Sequence, residues 1–122
     1  MKFQVYNPVK QNCDCVIRTF MKLLDKTYIN VKEELISLAS NLGYESYQEQ
    51  EVFEKYFEKN GFTKIEEDPA IVNDLSFDSG SYGILCNWGD DYHLFPVIDH
   101  TAYDKNDRFW TMDVVSLYRL EK

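Results

Sequence analysis

The hydrophobic positions of this chain change period partway along it. From Cys15 the spacing is helical: Val16, Phe20, Leu23 and Thr27 follow one stripe, and Ile17, Met21 and Leu24 lie beside it. Lys22, Asp25 and Lys26 fall at the polar end. Asp14 is placed to cap this helix, which makes Cys15 its first residue. A second helix is expected from the capping-box pattern Asn30-Val31-Lys32-Glu33. Its apolar face is Val31, Leu35, Leu38 and Leu42, and Gly43 is its stop. A third is expected from Ser46-Tyr47-Gln48-Glu49; it carries Val52, Phe53, Tyr56 and Phe57 and ends at Asn60-Gly61. Phe62–Ile65 reads as a short strand, Glu66-Glu67-Asp68 as an acidic loop, and Pro69 as the opening of a short helix over residues 69–75.

After Asp78-Ser79-Gly80 the pattern is that of strands. They are expected over residues 82–88, 92–98, 101–104 and 114–119, with turns at Gly89-Asp90-Asp91 and Asp99-His100 and a loop over residues 105–108. Phe3-Gln4-Val5-Tyr6 alternates, as a strand or an arm across the domain, and Asn7-Pro8 ends it. Residues 9–13 read as loop. Helices first and an antiparallel sheet second is an α+β arrangement. With no repeat and no linker, residues 1–122 read as one domain.

Composition narrows the function classes. At 122 residues, with 44% hydrophobic and 16% aromatic positions, the chain can bury a core. A net charge of −8 speaks against nucleic acid or an anionic membrane as partner. No segment approaches the about 18 apolar residues of a membrane span, and the N-terminus has no long apolar run. Three cysteines, two of them in Cys13-Asp14-Cys15, do not make a disulfide framework, so a reducing cytoplasm is expected. A monomer or small homo-oligomer without cofactor fits this picture.

The candidate chemistry starts at Cys15. A thiol in the first turn of a helix sits at the positive end of its dipole, which favours the nucleophilic thiolate. A nucleophile needs a base, and the base needs an orienting group. His93 opens the strand His93-Leu94-Phe95-Pro96-Val97-Ile98 and shares a face with Phe95 and Val97. His100 lies in a tight turn and reads as a turn residue. If Asp99-His100 is a two-residue turn, Ile98 faces Thr101, Val97 faces Ala102, Pro96 faces Tyr103 and Phe95 faces Asp104. Asp104 is then a diagonal neighbour of His93, within side-chain reach. Asn106 is the alternative orienting residue, whereas Asp99 lies about 20 Å along the same strand. Cys86 and Cys13 read as buried thiols. A metal site made of Cys13, Cys15, Cys86 and His93 is disfavoured, because Cys-x-Cys is tighter than the usual zinc spacing.

A cysteine, its helix, a late histidine strand and a following Asp or Asn is the order of the papain-like cysteine peptidases. Asp14-Cys15-Val16-Ile17-Arg18, with Lys26-Thr27-Tyr28 and Val31-Lys32-Glu33-Glu34-Leu35, resembles small papain-like proteins of bacteria and their phages. Those open with Asn-Asp-Cys-Val-x-Arg and a Gly-Lys-x-Tyr-x-x-Val helix junction. Their His-Leu-x-x-Val-x-Asp-Gly hairpin and Tyr-Asp are matched by residues 93–100 and by Tyr103-Asp104. The resemblance covers roughly residues 12–35 and 82–104. It departs at Cys13 in place of Asn, at His100 in place of Gly, at Pro96 inside the histidine strand, and at the absence of a tryptophan after Tyr103-Asp104.

The resemblance implies a papain-like fold and a cysteine hydrolase, a peptidase, amidase or acyl transferase acting on a peptide or amide substrate. Cys15 would be the nucleophile, His93 the base and Asp104 the orienting carboxylate. An oxyanion hole would come from the Cys15 backbone N–H and an upstream amide, Gln11 first and Asn12 second. The alternative it leaves is an inactive papain-like binding protein serving a phage or mobile element.

Overall fold

A computed structural model describes residues 1–8, 14–65, 69–76 and 78–121. Gln11, Asn12 and Cys13, and the Glu66-Glu67-Asp68 loop, lie outside them. Three helices, α1 (Cys15–Leu24), α2 (Tyr28–Leu42) and α3 (Gln50–Lys59), pack on one sheet. Its strands are β1 (Lys2–Val5), β2 (Phe62–Ile65), β3 (Ser81–Trp88), β4 (Asp91–Ile98), β5 (Thr101–Asp104) and β6 (Asp113–Leu120). They run in the order β1-β5-β4-β3-β6-β2. The class is therefore α+β, as the pattern predicts. The sheet is not confined to the C-terminal half, however. Lys2–Val5 joins as an edge strand, parallel to β5, and Phe62–Ile65 closes the other edge against β6.

Local chemistry accounts for most element ends. Asp14 caps α1, its Oδ1 accepting from Ile17 N at 2.9 Å. Gly43 ends α2 at φ 84°, in the left-handed region that favours glycine. Two helix starts differ from the pattern. The cap of α2 is Thr27, whose Oγ1 accepts from Asn30 N, so the helix begins three residues ahead of the Asn30 box. Ser46 Oγ accepts from Gln48 N, which closes a turn, and α3 starts only after Glu49. A serine hydroxyl satisfies either a turn or a helix cap, and sequence spacing does not distinguish them. The short helix expected over 69–75 is a single 3-10 turn, Val72–Asp74, because Ile71 bridges to Asp113 on the sheet instead.

Both faces of the sheet are covered. Leu85, Leu94 and Tyr118 point toward Val16, Ile17, Phe20, Phe53 and Phe57 on the helices. Ile84, Cys86, Phe95, Val97 and Leu117 point the other way, onto Val72, Phe109 and Met112. Leu94 and Phe95 thus lie on opposite faces, as the alternation requires. Among the described residues no helix is long and apolar enough to cross a membrane.

Gly83 shows how tightly the helix layer sits. A Cβ there would lie 2.3 Å from Phe57 Cζ. That ring is fully buried and stacked on Tyr118 at 4.3 Å, so it has little room to yield. Gly83→Ala is expected to cost about 1–3 kcal/mol through overpacking, read as a lower urea midpoint with an unaltered slope.

The break between β4 and β5 matters most for function. Asp99 and His100 form the turn with φ 48° and 66°, and the pairs Val97–Ala102 and Ile98–Thr101 form as expected. The ladder stops there, so the pairs Pro96–Tyr103 and Phe95–Asp104 drawn from the turn do not form. Backbone groups alternate sides along a strand. Asp99 N donates to Gly80 O beside β3, and Leu94 O faces α1, so the nitrogen of Pro96 lies on the β5 side. Proline has no N–H to donate there, and the two strands part.

Candidate active site

α1 docks on the edge of β4 that this parting leaves open. Thr19 Oγ1, fully buried, lies 3.1 Å from Leu94 O and 2.7 Å from Cys15 O. One hydroxyl therefore ties the first turn of α1 to the strand that carries His93. The start of α1 is also held from outside. Asp14 Oδ2 accepts from Tyr47 Oη and from Gln48 Nε2, which anchors the α2–α3 connection at the thiol. The carboxylate of Asp14 is thus directed at N–H and O–H groups.

The three residues proposed from sequence come together. His93 Nε2 lies 2.5 Å from Asp104 Oδ2, and the Cys15 side chain is near enough to the imidazole to raise its proton affinity. Since Nε2 is engaged by Asp104, Nδ1 is the ring nitrogen left for the sulfur. The His93 ring packs against Phe95 with centroids 6.0 Å apart, which fixes its plane. Asn106 does not compete for the histidine; its Oδ1 accepts from Arg108 N and closes the following turn. His100 is remote from the site, with Nε2 3.2 Å from Ser79 Oγ.

Arg18 has no role in the sequence reading, although it stands in the matched motif. It is 3% exposed, and its Nη2 lies 3.0 Å from Asp104 Oδ1 in an ion pair whose carboxylate is 1% exposed. Lys105 N also donates to Oδ1, at 2.8 Å. Both oxygens of Asp104 are thereby directed, one to the arginine and one to the histidine. The one hint in the sequence is that Arg18 interrupts an otherwise uncharged run, Val16 to Phe20; that the run is buried is a finding of the structure. A cation buried there requires a buried anion.

These contacts set the charge on the histidine. Burial alone would push His93 down, but the interactions with Asp104 and Cys15 outweigh it and raise its pKa to about 9. An imidazole that titrates near 6.5 when unfolded thus holds its proton longer in the fold. Its stabilising contribution is complete below about pH 6.5 and is lost as pH rises through about 9, a change of the order of 3 kcal/mol. His93→Gln should flatten the stability profile over that window in urea titrations at fixed ionic strength. Cys86 acts above it: burial pushes its thiol up to about 12, so it stays neutral against the sheet. Its sulfur lies 3.4 Å from Met112 Sδ, which makes it a packing residue.

Cys15 and Cys86 are both unbridged. Among the described residues no group of three or more His, Cys, Asp or Glu is placed to hold a metal ion. Cys15 is half-buried and opens onto a hollow of about 260 Å³. Two larger hollows, of about 520 and 460 Å³, lie on the helix layer away from this site and are lined by mixed charges such as Glu54 and Lys64, or Glu34 and Lys59. Compared with family models, curated proteins and solved structures, the chain matches none.

Proposed function

We propose that this protein is a cysteine hydrolase of papain-like design, acting on an acyl compound through a covalent acyl-enzyme. One observation carries the reading. A thiol at a helix start stands beside an imidazole whose Nε2 is engaged by a buried carboxylate. A packed core needs no such chain of contacts. Cys86 shows what a structural thiol in this fold looks like.

The chemistry follows from the pair. The Cys15 sulfur, its proton on His93, attacks an acyl carbon and forms a C–S bond. The bond to the leaving amine or alkoxide breaks as His93 Nδ1 returns the proton to it. A water then gives its proton to His93 and cleaves the thioester, which frees the acid and restores the thiol. Asp104 keeps the imidazole in the tautomer and orientation that both steps need. The Cys15 N–H is available for the developing oxyanion. Gln11 and Asn12, the candidates for the second donor, lie outside the described residues.

The test is alkylation of Cys15 by iodoacetamide between pH 5 and 9 in a Cys13→Ser background. Reaction at pH 6.5 well above that of a free thiol supports the hydrolase. Reaction no faster than a free thiol at every pH leaves an inactive scaffold, the alternative reading.

A further inference from the structure

We infer that the hollow beside Cys15 is the acyl-side specificity pocket, and that it takes an uncharged, apolar group of branched-aliphatic or aromatic size. This deepens the cysteine-hydrolase reading and rests on it. The pocket is lined by Val16, Phe53, Leu85, Leu94, Tyr92 and Gln48. Gln48 supplies the polar side chain, and its amide nitrogen already donates to Asp14 Oδ2. Among the described residues that line it, none is charged. In a chain of net charge −8, the described lining of this hollow carries no carboxylate that would hold a cation. Its floor is the helix-side core, since Val16, Phe53, Leu85 and Leu94 are all buried members of that cluster. At about 260 Å³ it exceeds the about 150 Å³ that suffices, in an aliphatic cavity, for a benzene ring.

The sheet assigns the pocket to the acyl side. Leu85 and Leu94 belong to the helix face, whereas His93 has the parity of Phe95 and Val97, which face the opposite cluster. The sulfur thus stands between the pocket on one side and the imidazole on the other. His93 must protonate the departing atom, so the leaving group lies on the imidazole side. The remainder of the acyl carbon's substituents is then directed toward Leu85, Leu94 and Phe53. Tyr92, 59% exposed, forms the outer wall.

The experiment uses p-nitrophenyl esters, which share one leaving group: the acetate, the 3-methylbutanoate and the 3-phenylpropanoate. The burst rate of nitrophenol release by the Cys13→Ser protein is divided by the rate of the same ester with free cysteine. We expect the normalised rate to rise at least ten-fold from the acetate to the 3-phenylpropanoate. Tyr92→Ala and Gln48→Trp, both at exposed positions, should each lower that ratio several-fold, one by removing the wall and the other by filling the mouth. A burst with every ester but a flat ratio overturns the pocket and leaves the cysteine reading standing. A rising ratio unmoved by both variants also overturns it, since the preference then arises elsewhere. No burst with any ester, together with iodoacetamide reactivity no greater than a free thiol, removes the hydrolase reading and the acyl pocket with it.

Discussion

Arg18→Met is expected to destabilise the fold by about 3–5 kcal/mol, the usual cost of stripping one partner from a buried ion pair. The carboxylate left behind is that of Asp104, 1% exposed, with His93 and the Lys105 N–H as its remaining partners described above. Methionine keeps most of the arginine's stem, so little of the loss comes from packing. The comparison that separates charge from volume is the pair Arg18→Met with Asp104→Asn. Each single change strands a buried group. The double variant removes both charges and should regain a large part of the stability, as a positive coupling in urea unfolding. A single-variant loss below about 1 kcal/mol would mean the ion pair is solvated, contrary to its burial.

The second large effect is on the thiol. His93→Gln should slow iodoacetamide alkylation of Cys15 at pH 6.5 by about ten- to a hundred-fold, since an ordinary thiol is only about one hundredth ionised two pH units below its pKa. Beside the sulfur stands an imidazole whose proton affinity is raised to about 9, so it can take up the thiol's proton during the attack on iodoacetamide. For turnover of an ester or amide the loss should be larger, about 10²–10⁴-fold, because His93 serves both as acid and as base. Asp104→Asn tests the orienting role. It keeps the hydrogen bond in form but presents a neutral partner, so the histidine's proton affinity should fall and the alkylation profile should shift toward that of His93→Gln. A profile identical to wild type in both variants would show that the sulfur and the imidazole do not communicate.

Much of this arrangement is legible along the chain. The change from helical to alternating spacing predicts helices over a sheet, and Asp14, Gly43 and Asp99-His100 act where their chemistry says they should. Each is a local device, whose hydrogen bonds or backbone angles involve residues within a few positions. The misplaced helix starts at Asn30 and Ser46 are local too: Thr27 caps α2 ahead of Asn30, and the Ser46 hydroxyl closes a turn in place of a cap, choices that a cap motif does not rank. The alternation over Phe3–Tyr6 allowed a strand there, but the parallel pairing of Lys2–Val5 with β5 was not legible, because that partner lies at the other end of the chain.

The site divides along the same line. Sequence by itself determined that a thiol would begin a helix, that His93 would share a face with Phe95, and that Asp104 would follow a two-residue turn, since caps, alternation and turn length are short-range. The hairpin pairs drawn beyond Val97–Ala102 do not form; Pro96 cannot donate on that side, and the strands part. Only the tertiary structure decided what fills the gap: α1 against the free edge of β4, Thr19 on the carbonyl of Leu94, and Arg18 and His93 on the two oxygens of one carboxylate. The physical reason is that buried charge must be balanced wherever the fold happens to bring it. Arg18 and Asp104 stand 86 positions apart, and no spacing rule spans that distance.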